Sequence, residues 1–178
     1  GKAADPISGA RQLPNHFSSR ALRVPTTSSS VATQIPHAVG TAWAVRVQGE
    51  DVAVFCSFGE GATSKGEFHE ALNVAGIHRL PVVFFCENNG WAISVPLAEQ
   101  VAGGSVAARA AGYGMPGVLV DGLDPFAVYQ ATAAALERAR AGDGPTLIEA
   151  TCLRLVPHSS DDSDRYRSEA EKAALQAR

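Results

Sequence analysis

The chain has 178 residues, of which 46% are hydrophobic and 19% charged, and its formal net charge is -3. That length suits a single core domain, and the balance is that of a globular fold with no apolar run long enough to span a bilayer. Without a Lys/Arg block there is no electrostatic footprint for nucleic acid, so any small anion has to be held by local groups.

Residues 1–30 carry Pro6, Pro14, Pro25 and the cluster Thr26-Thr27-Ser28-Ser29-Ser30 without a sustained period, which predicts an extended arm or loop. From Thr33 the stripe Ile35, Val39, Ala42, Trp43 and Val47 predicts a helix over 34–48, with Pro36 in a first turn that tolerates it. Asp51-Val-Ala-Val-Phe-Cys-Ser57 is a continuous apolar run of the kind found in parallel strands covered on both faces. Gly59-Glu-Gly61 breaks it. A helix is expected near 66–77, with Phe68, Leu72 and Ala75 on one side, and Pro81-Val-Val-Phe-Phe-Cys86 reads as the next strand, completing a βαβ unit.

The cycle repeats. Ser105 to Gly112 can be helical, Gly117-Val-Leu-Val120 is a short strand, and Asp124-Pro125 is an N-cap followed by proline at the first helical position. That helix should run to about Arg140 and end at Gly142. Thr146-Leu-Ile-Glu-Ala-Thr-Cys-Leu153 is a fourth strand, residues 157–167 carry a polar loop, and Ser168 with Glu171 forms a capping box for a last helix. Strands alternating with helices predict an α/β fold, a mostly parallel sheet with helices on both faces. Cys56, Cys86 and Cys152 fall in apolar runs and read as small hydrophobes in a reducing compartment. The chain opens on Gly1 without an initiator Met or a signal-peptide pattern, which suggests a fragment.

In open parallel sheets ligands bind beyond the carboxyl ends of the strands. Two such ends are chemically unusual here: Phe58-Gly-Glu-Gly-Ala62, where glycines allow close approach, and Glu87-Asn-Asn-Gly-Trp91. One helix and one strand separate them, so both loops emerge on the same edge. A magnesium ion takes oxygen ligands from one or two protein groups plus phosphate, and the Glu60 carboxylate, the Asn89 amide oxygen and a backbone carbonyl just beyond would supply such a site around a diphosphate. Each tripeptide alone is more often a plain turn; the combination at this separation is specific.

Gly59-Glu-Gly61, the intervening residues 62–87 and Asn88-Asn89 resemble the thiamin diphosphate motif, in which the acidic residue is more often Asp. Ala32-Thr-Gln-Ile-Pro-His-Ala-Val-Gly40, Phe84-Phe-Cys-Glu-Asn-Asn-Gly-Trp-Ala-Ile-Ser94, Val120-Asp-Gly122 and Pro157-His-Ser-Ser-Asp-Asp162 extend the likeness along nearly the whole chain. It resembles the alpha subunits of 2-oxo acid dehydrogenase decarboxylases, most closely the branched-chain type, and so implies a thiamin-diphosphate-binding fold. The resemblance implies that Glu60, Asn89 and the Trp91 carbonyl bind magnesium. It places Gly59, Gly61 and Ala62 along the diphosphate, Ala92 and Ile93 beside the cofactor, and Ser29 and Val31 near its aminopyrimidine. Ser28, the Ser30 carbonyl, Thr33 and Gln34 correspond to a monovalent-cation site, for potassium; the same serines would equally cap the helix that follows.

His158 taken alone reads as a solvated loop histidine, although its titration range suits proton transfer. The family counterpart reaches the thiazolium and the substrate, which makes His158 the catalytic candidate. Ser159 and Ser160 resemble a loop that kinases phosphorylate in mitochondrial relatives, here one residue shorter. Arg154 is expected to pair with Asp161 or Asp162 and hold His158. His16, His37, His69 and His78 are assigned structural roles. The implied reaction is oxidative decarboxylation of a branched-chain 2-oxo acid with acyl transfer to a lipoyl group. The implied partners are a beta subunit that completes the active site, a second alpha subunit in a heterotetramer, and the lipoyl domain of the acyltransferase. The implied place is the cytoplasm, or the mitochondrial matrix in a eukaryote. Pyruvate or acetoin dehydrogenase alpha subunits and a non-catalytic structural fragment stand as alternatives. A nucleotide-binding domain is disfavoured because Gly59-Glu-Gly-Ala-Thr-Ser-Lys65 lacks the phosphate-loop spacing.

Overall fold

The computed structural model describes residues 4–5, 9, 11, 16–26 and 28–176. Of the arm, Pro6, Pro14 and Thr27 lie outside the described residues; its described part carries one antiparallel bridge, Ser19 to Val24. Six strands follow in chain order: β1 (Val54–Gly59), β2 (Val82–Asn88), β3 (Trp91–Ala92), β4 (Val95–Pro96), β5 (Gly117–Asp121) and β6 (Thr146–Thr151). Four of them form one parallel sheet in the order β1-β2-β6-β5, while β3 and β4 pair as a small antiparallel hairpin. The helices are α1 (Gln34–Gln48), α2 (Gly66–Ile77), α3 (Pro125–Arg140) and α4 (Glu169–Gln176), with 3-10 turns at Glu60–Ser64, Leu97–Glu99 and Ala107–Tyr113.

Helix α1 buries Ile35, Ala38, Val39, Ala42 and Val45, an i, i+3, i+4 stripe, and stops where Gly49 turns left-handed. Asp124 caps α3 by accepting the Phe126 and Ala127 amides at 2.9 and 3.2 Å, with Pro125 behind it as expected. One sheet face packs Phe58, Phe84 and Cys86 against Ile35, Phe68 and Leu72 of α1 and α2, with Phe58 and Phe68 meeting edge-on at 5.8 Å. Side chains of this size contribute about 1.5–3 kcal/mol each when fully buried. On the other face Val83 and Ile148 meet Ala135 and Ala139 of α3.

Several expectations need correction. Helix α3 packs on β2, β5 and β6, so β1 is covered on one face only and Phe55 is 49% exposed. Asp51 lies outside β1, where it receives both Arg140 donors at 2.9 and 2.8 Å. The segment from Ser105 to Gly112 that can be helical is helical from Ala107, as a 3-10 helix over Ala107–Tyr113. The capping box is half formed: Ser168 Oγ accepts the Glu171 amide at 3.2 Å, but the Glu171 carboxylate instead takes the Trp91 indole N–H at 3.3 Å.

Candidate functional site

Strands β1 and β2 run in register, Gly59 beside Glu87, so the 3-10 turn at Glu60 and the Asn88–Trp91 turn leave the sheet side by side. Glu60 is 1% exposed. Its Oε2 accepts the Asn89 amide at 3.3 Å, whereas its Oε1 is fully buried and has no hydrogen-bond partner among the described residues. Burial pushes this carboxyl upward, and backbone amides with the nearby Arg154 charge offset only part of the effect. An orphaned buried carboxylate oxygen is rare in folded proteins and points to a ligand. Among the described residues no three His, Cys, Asp or Glu side chains gather into a metal cluster, so an ion here would rely on Glu60 with neutral oxygens.

The following turn is held by its own asparagines. Asn88 Oδ1 accepts the Gly90 amide at 2.9 Å, and Asn89 Oδ1 accepts the Trp91 amide at 3.1 Å, two successive side-chain-closed turns. Gly61 is required by this packing, since a Cβ there would stand 2.7 Å from Ala92 Cβ. Gly59 differs: its backbone is extended, and a Cβ would meet nothing within 4 Å. Neither backbone nor packing within the described chain demands glycine there, which leaves open space at the strand end. Ala62 is buried beneath, while Ile93 is 53% exposed with a positive φ of 53°, a strained conformation for a β-branched residue. Arg154 Nη1 holds the Ile93 carbonyl at 2.7 Å.

Arg154 also organises the His158 loop, through partners other than those expected. It pairs with Asp164 at 3.6 Å, not with Asp161 or Asp162, and its hydrogen-bonded link to Asp162 runs through the Tyr166 hydroxyl. Asp162 accepts that hydroxyl together with the His158 and Asp164 amides, and these bonds, Tyr166 first, lower its carboxyl to about 2. Asp161 instead accepts the Ser159 hydroxyl at 2.7 Å. Asp164, at a positive φ of 52°, is gripped by the buried Arg167 through two bonds. His158 is exposed, and no hydrogen bond links it to Glu60, Asn89 or Trp91. The Arg154 guanidinium lies 5.9 Å from the Trp91 ring and 5.4 Å from that of Tyr166.

The serine segment is less organised. Ser28 Oγ accepts the Ser30 amide, Ser29 Oγ meets His16 Nε2 at 2.7 Å, the Ser30 carbonyl accepts the Thr33 amide, and Gln34 donates to the Ser57 carbonyl at 3.4 Å. No side chain caps α1, which removes the capping reading, and Val31 is 60% exposed. His69 bonds Tyr113 and His78 packs at a tilt against the Trp43 ring, in keeping with structural roles. Cys56 and Cys86 are buried free thiols; burial holds both protonated, Cys56 at about 12. A cleft of about 430 Å³ lined by Arg46, Arg79 and Arg140 lies at the opposite edge and contains no predicted site residue.

Sequence reasoning missed Glu149, Arg109 and Tyr166. Glu149 announced itself as a lone charge inside an apolar strand and is 1% exposed. Arg109 clamps the Thr63 and Gln100 carbonyls at 2.8 and 3.2 Å, for which the sequence offered no signal.

A chain 57% identical over 97% of this one is the 2-oxoisovalerate dehydrogenase subunit alpha of Bacillus subtilis, of which it spans 53%. The 3-methyl-2-oxobutanoate dehydrogenase subunit alpha of Mycobacterium tuberculosis is 52% identical over 81% of this chain, which covers 40% of it. The mitochondrial 2-oxoisovalerate dehydrogenase subunit alpha of Mus musculus is 48% identical over 94%, with 38% of its length covered. The chain thus spans about half or less of the curated relatives it matches. A solved structure from Mycobacterium smegmatis, described as a thiamin diphosphate-dependent enzyme, superposes with a TM-score of 0.53 at 30% identity, covering 72% of this chain and 23% of that one. The model of the dehydrogenase E1 component family matches residues 1–178, and the chain belongs to that family.

Proposed function

We propose that this chain is the cofactor-holding part of the alpha subunit of a branched-chain 2-oxo acid dehydrogenase. Together with a beta subunit it would carry out oxidative decarboxylation and acyl transfer to a lipoyl group. The observation that carries the reading is the buried Glu60 carboxylate with one unpartnered oxygen, set beside the Asn88–Trp91 turn at the carboxyl edge of β1 and β2. Relatives bearing 2-oxoisovalerate and 3-methyl-2-oxobutanoate in their names favour a branched substrate over pyruvate or acetoin.

In this reading Glu60 Oε1, Asn89 Oδ1 and the Trp91 carbonyl hold magnesium, completed by diphosphate oxygens. Glu60 can do so because its second oxygen is occupied and its first is free; Asn89 Oδ1 keeps a lone pair beside the one used by Trp91. The open space at Gly59 admits the diphosphate, with Gly61 and Ala62 lining it and Ala92 and Ile93 flanking. Thiamin diphosphate, once bound, supplies the electron sink for decarboxylation, and the protein supplies orientation and electrostatics. Arg154 fixes the Ile93 backbone on one side and the Tyr166–Asp162 pair on the other, which orients the loop carrying His158 for proton transfer. Ser29 and Val31 approach the aminopyrimidine. Among the described residues Ser28, Ser30, Thr33 and Gln34 leave no orphaned buried oxygen comparable to Glu60 Oε1, so a potassium ion has no such support there. The partners are the beta subunit, a second alpha subunit in a heterotetramer and the lipoyl domain. Bacterial and mitochondrial relatives favour the bacterial cytoplasm or the mitochondrial matrix; separately, no helix among the described residues is long and apolar enough to cross a membrane.

The test measures decarboxylation of 4-methyl-2-oxopentanoate, 3-methyl-2-oxobutanoate and pyruvate by the full-length alpha subunit with and without beta, in magnesium and thiamin diphosphate. Activity on the branched acids that requires both subunits is expected. Absence of cofactor binding in the assembled enzyme, or preference for pyruvate, would overturn the function or the substrate class respectively.

A further inference from the structure

Glu149 lies within β6, 1% exposed, with no ion-pair partner among the described residues. Its oxygens instead accept three hydrogen bonds. Oε1 takes Asn88 Nδ2 at 2.6 Å, and Oε2 takes Ser105 Oγ and the Ala107 amide, each at 2.7 Å. Desolvating a carboxylate is expensive, and an apolar residue of similar size is often no worse for stability. What the carboxylate provides, and an amide or alkyl group does not, is an acceptor at both ends.

That property decides the state of Asn88, which is 4% exposed. The two ends of an asparagine amide differ only in donating or accepting. With a carboxylate on one side, the NH₂ end must face Glu149, so the oxygen end faces the Gly90 amide at 2.9 Å. The Asn88 carbonyl meanwhile accepts the Cys152 amide at 2.8 Å, which ties the same residue to the end of β6. We propose that Glu149 is a positioning residue for the metal-binding turn: it dictates which end of the Asn88 amide closes the Asn88–Gly90 turn, and thereby sets Asn89 opposite Glu60. This rests on the magnesium reading of Glu60 and Asn89 given above.

In Glu149→Gln the introduced amide oxygen stays with its two donors, Ser105 and Ala107, so its NH₂ points at the Asn88 NH₂. Asn88 then turns over and presents NH₂ to the Gly90 amide, and the turn loses its closure. Adding Asn88→Asp restores the pattern, because the introduced carboxylate accepts both from the new amide and from Gly90. Two measurements are made on the full-length subunit assembled with its partner: hydrogen exchange at the Gly90 amide, and calorimetric titration of magnesium at saturating thiamin diphosphate. Glu149→Gln should speed Gly90 exchange and weaken magnesium by about tenfold or more, the usual scale for groups that orient metal ligands. The Asn88→Asp/Glu149→Gln pair should return both to within about threefold of wild type. Ser105→Ala, which removes a donor from the far oxygen, should leave both within the same range.

Unchanged exchange and affinity in Glu149→Gln, a double variant no better than the single one, or an equal loss in Ser105→Ala would overturn the proposal. Should Glu149→Gln fail to fold, the double variant decides: folding with restored affinity supports the coupling, and failure to fold refutes it. A wild type that binds no magnesium–thiamin diphosphate defeats the functional reading, while Gly90 exchange still judges Glu149.

Discussion

Replacing Glu60 by Gln separates what the carboxylate costs the fold from what it gives the site. Its Oε1 is buried without a partner, and a buried polar group left unsatisfied costs about 1–3 kcal/mol, more when charged. The substitution keeps an oxygen for the Asn89 amide and places a neutral NH₂ in the orphaned position, which is cheaper to desolvate than a carboxylate. The metal-free protein should therefore gain about 1 kcal/mol at neutral pH. The pH dependence follows from the sign of the shift. Burial raises the folded-state carboxyl above its unfolded value, so the native state binds the proton more tightly. Wild-type stability then falls as pH climbs from the ordinary carboxylate range through the raised value, and Glu60→Gln removes that slope. Binding should move the other way: losing a charge-assisted contact of about 1.5–3 kcal/mol weakens magnesium by roughly 10- to 100-fold. Urea unfolding of the metal-free variant at several pH values and magnesium calorimetry with thiamin diphosphate measure the two halves. A variant that is less stable without metal and binds it as tightly as wild type would refute the reasoning.

His158→Ala should leave magnesium and cofactor affinity near wild type and lower turnover by about 10²–10⁴-fold; ordinary turnover at saturating substrate would return His158 to a surface role. Trp91→Phe keeps the main-chain carbonyl and loses the indole bond to Glu171, so cofactor affinity should hold while stability falls by about 1 kcal/mol and α4 becomes more sensitive to protease. A large loss of magnesium affinity would show that the side chain matters. Asp162, held at about 2 chiefly by Tyr166, lends the loop order that is complete above the ordinary carboxylate range and lost as pH falls through about 2. In Tyr166→Phe an NMR titration should find the Asp162 carboxyl nearer its ordinary value of about 3.9; an unmoved titration would exclude the tyrosine as the main cause.

Much of the architecture was legible because its signals are local. The α1 stripe, the Asp124–Pro125 start and the βαβ spacing each lie within a few residues of what they determine. Strand starts were harder: Val52 and Ala53 continue the apolar run upstream, but the parallel ladder begins only at Val54. The covered face of β1 could not be told from its bare one, since Phe55 and Phe58 are the same residue type in opposite surroundings. At the site, Glu60 and Asn89 could be singled out because a metal ion would need a fixed chemistry at a fixed separation, and the paired ends of β1 and β2 do bring the two residues together. The partner of Arg154 could not, because Asp161, Asp162 and Asp164 crowd one loop and only the turn at Asp164 decides among them. Glu149 and Asn88 are 61 positions apart, and Trp91 and Glu171 are 80 apart. Nothing short of the folded chain announces either pairing.

The sheet order also governs when the site can exist during synthesis. Strands β1 and β2 can pair as soon as both have emerged, but the neighbour of β5 is β6 alone, and β6 is made last of the four. A nascent chain that has reached residue 145 therefore carries an unpaired β5 and an open edge on β2, with long-range pairing still to come between residues 83 and 146. Such edges invite aggregation, and closures of this span are slow. Because Glu149 travels on β6, the turn at Asn88 gains its buried acceptor only in that final insertion, so maturation of the proposed metal pocket and completion of the sheet are one event.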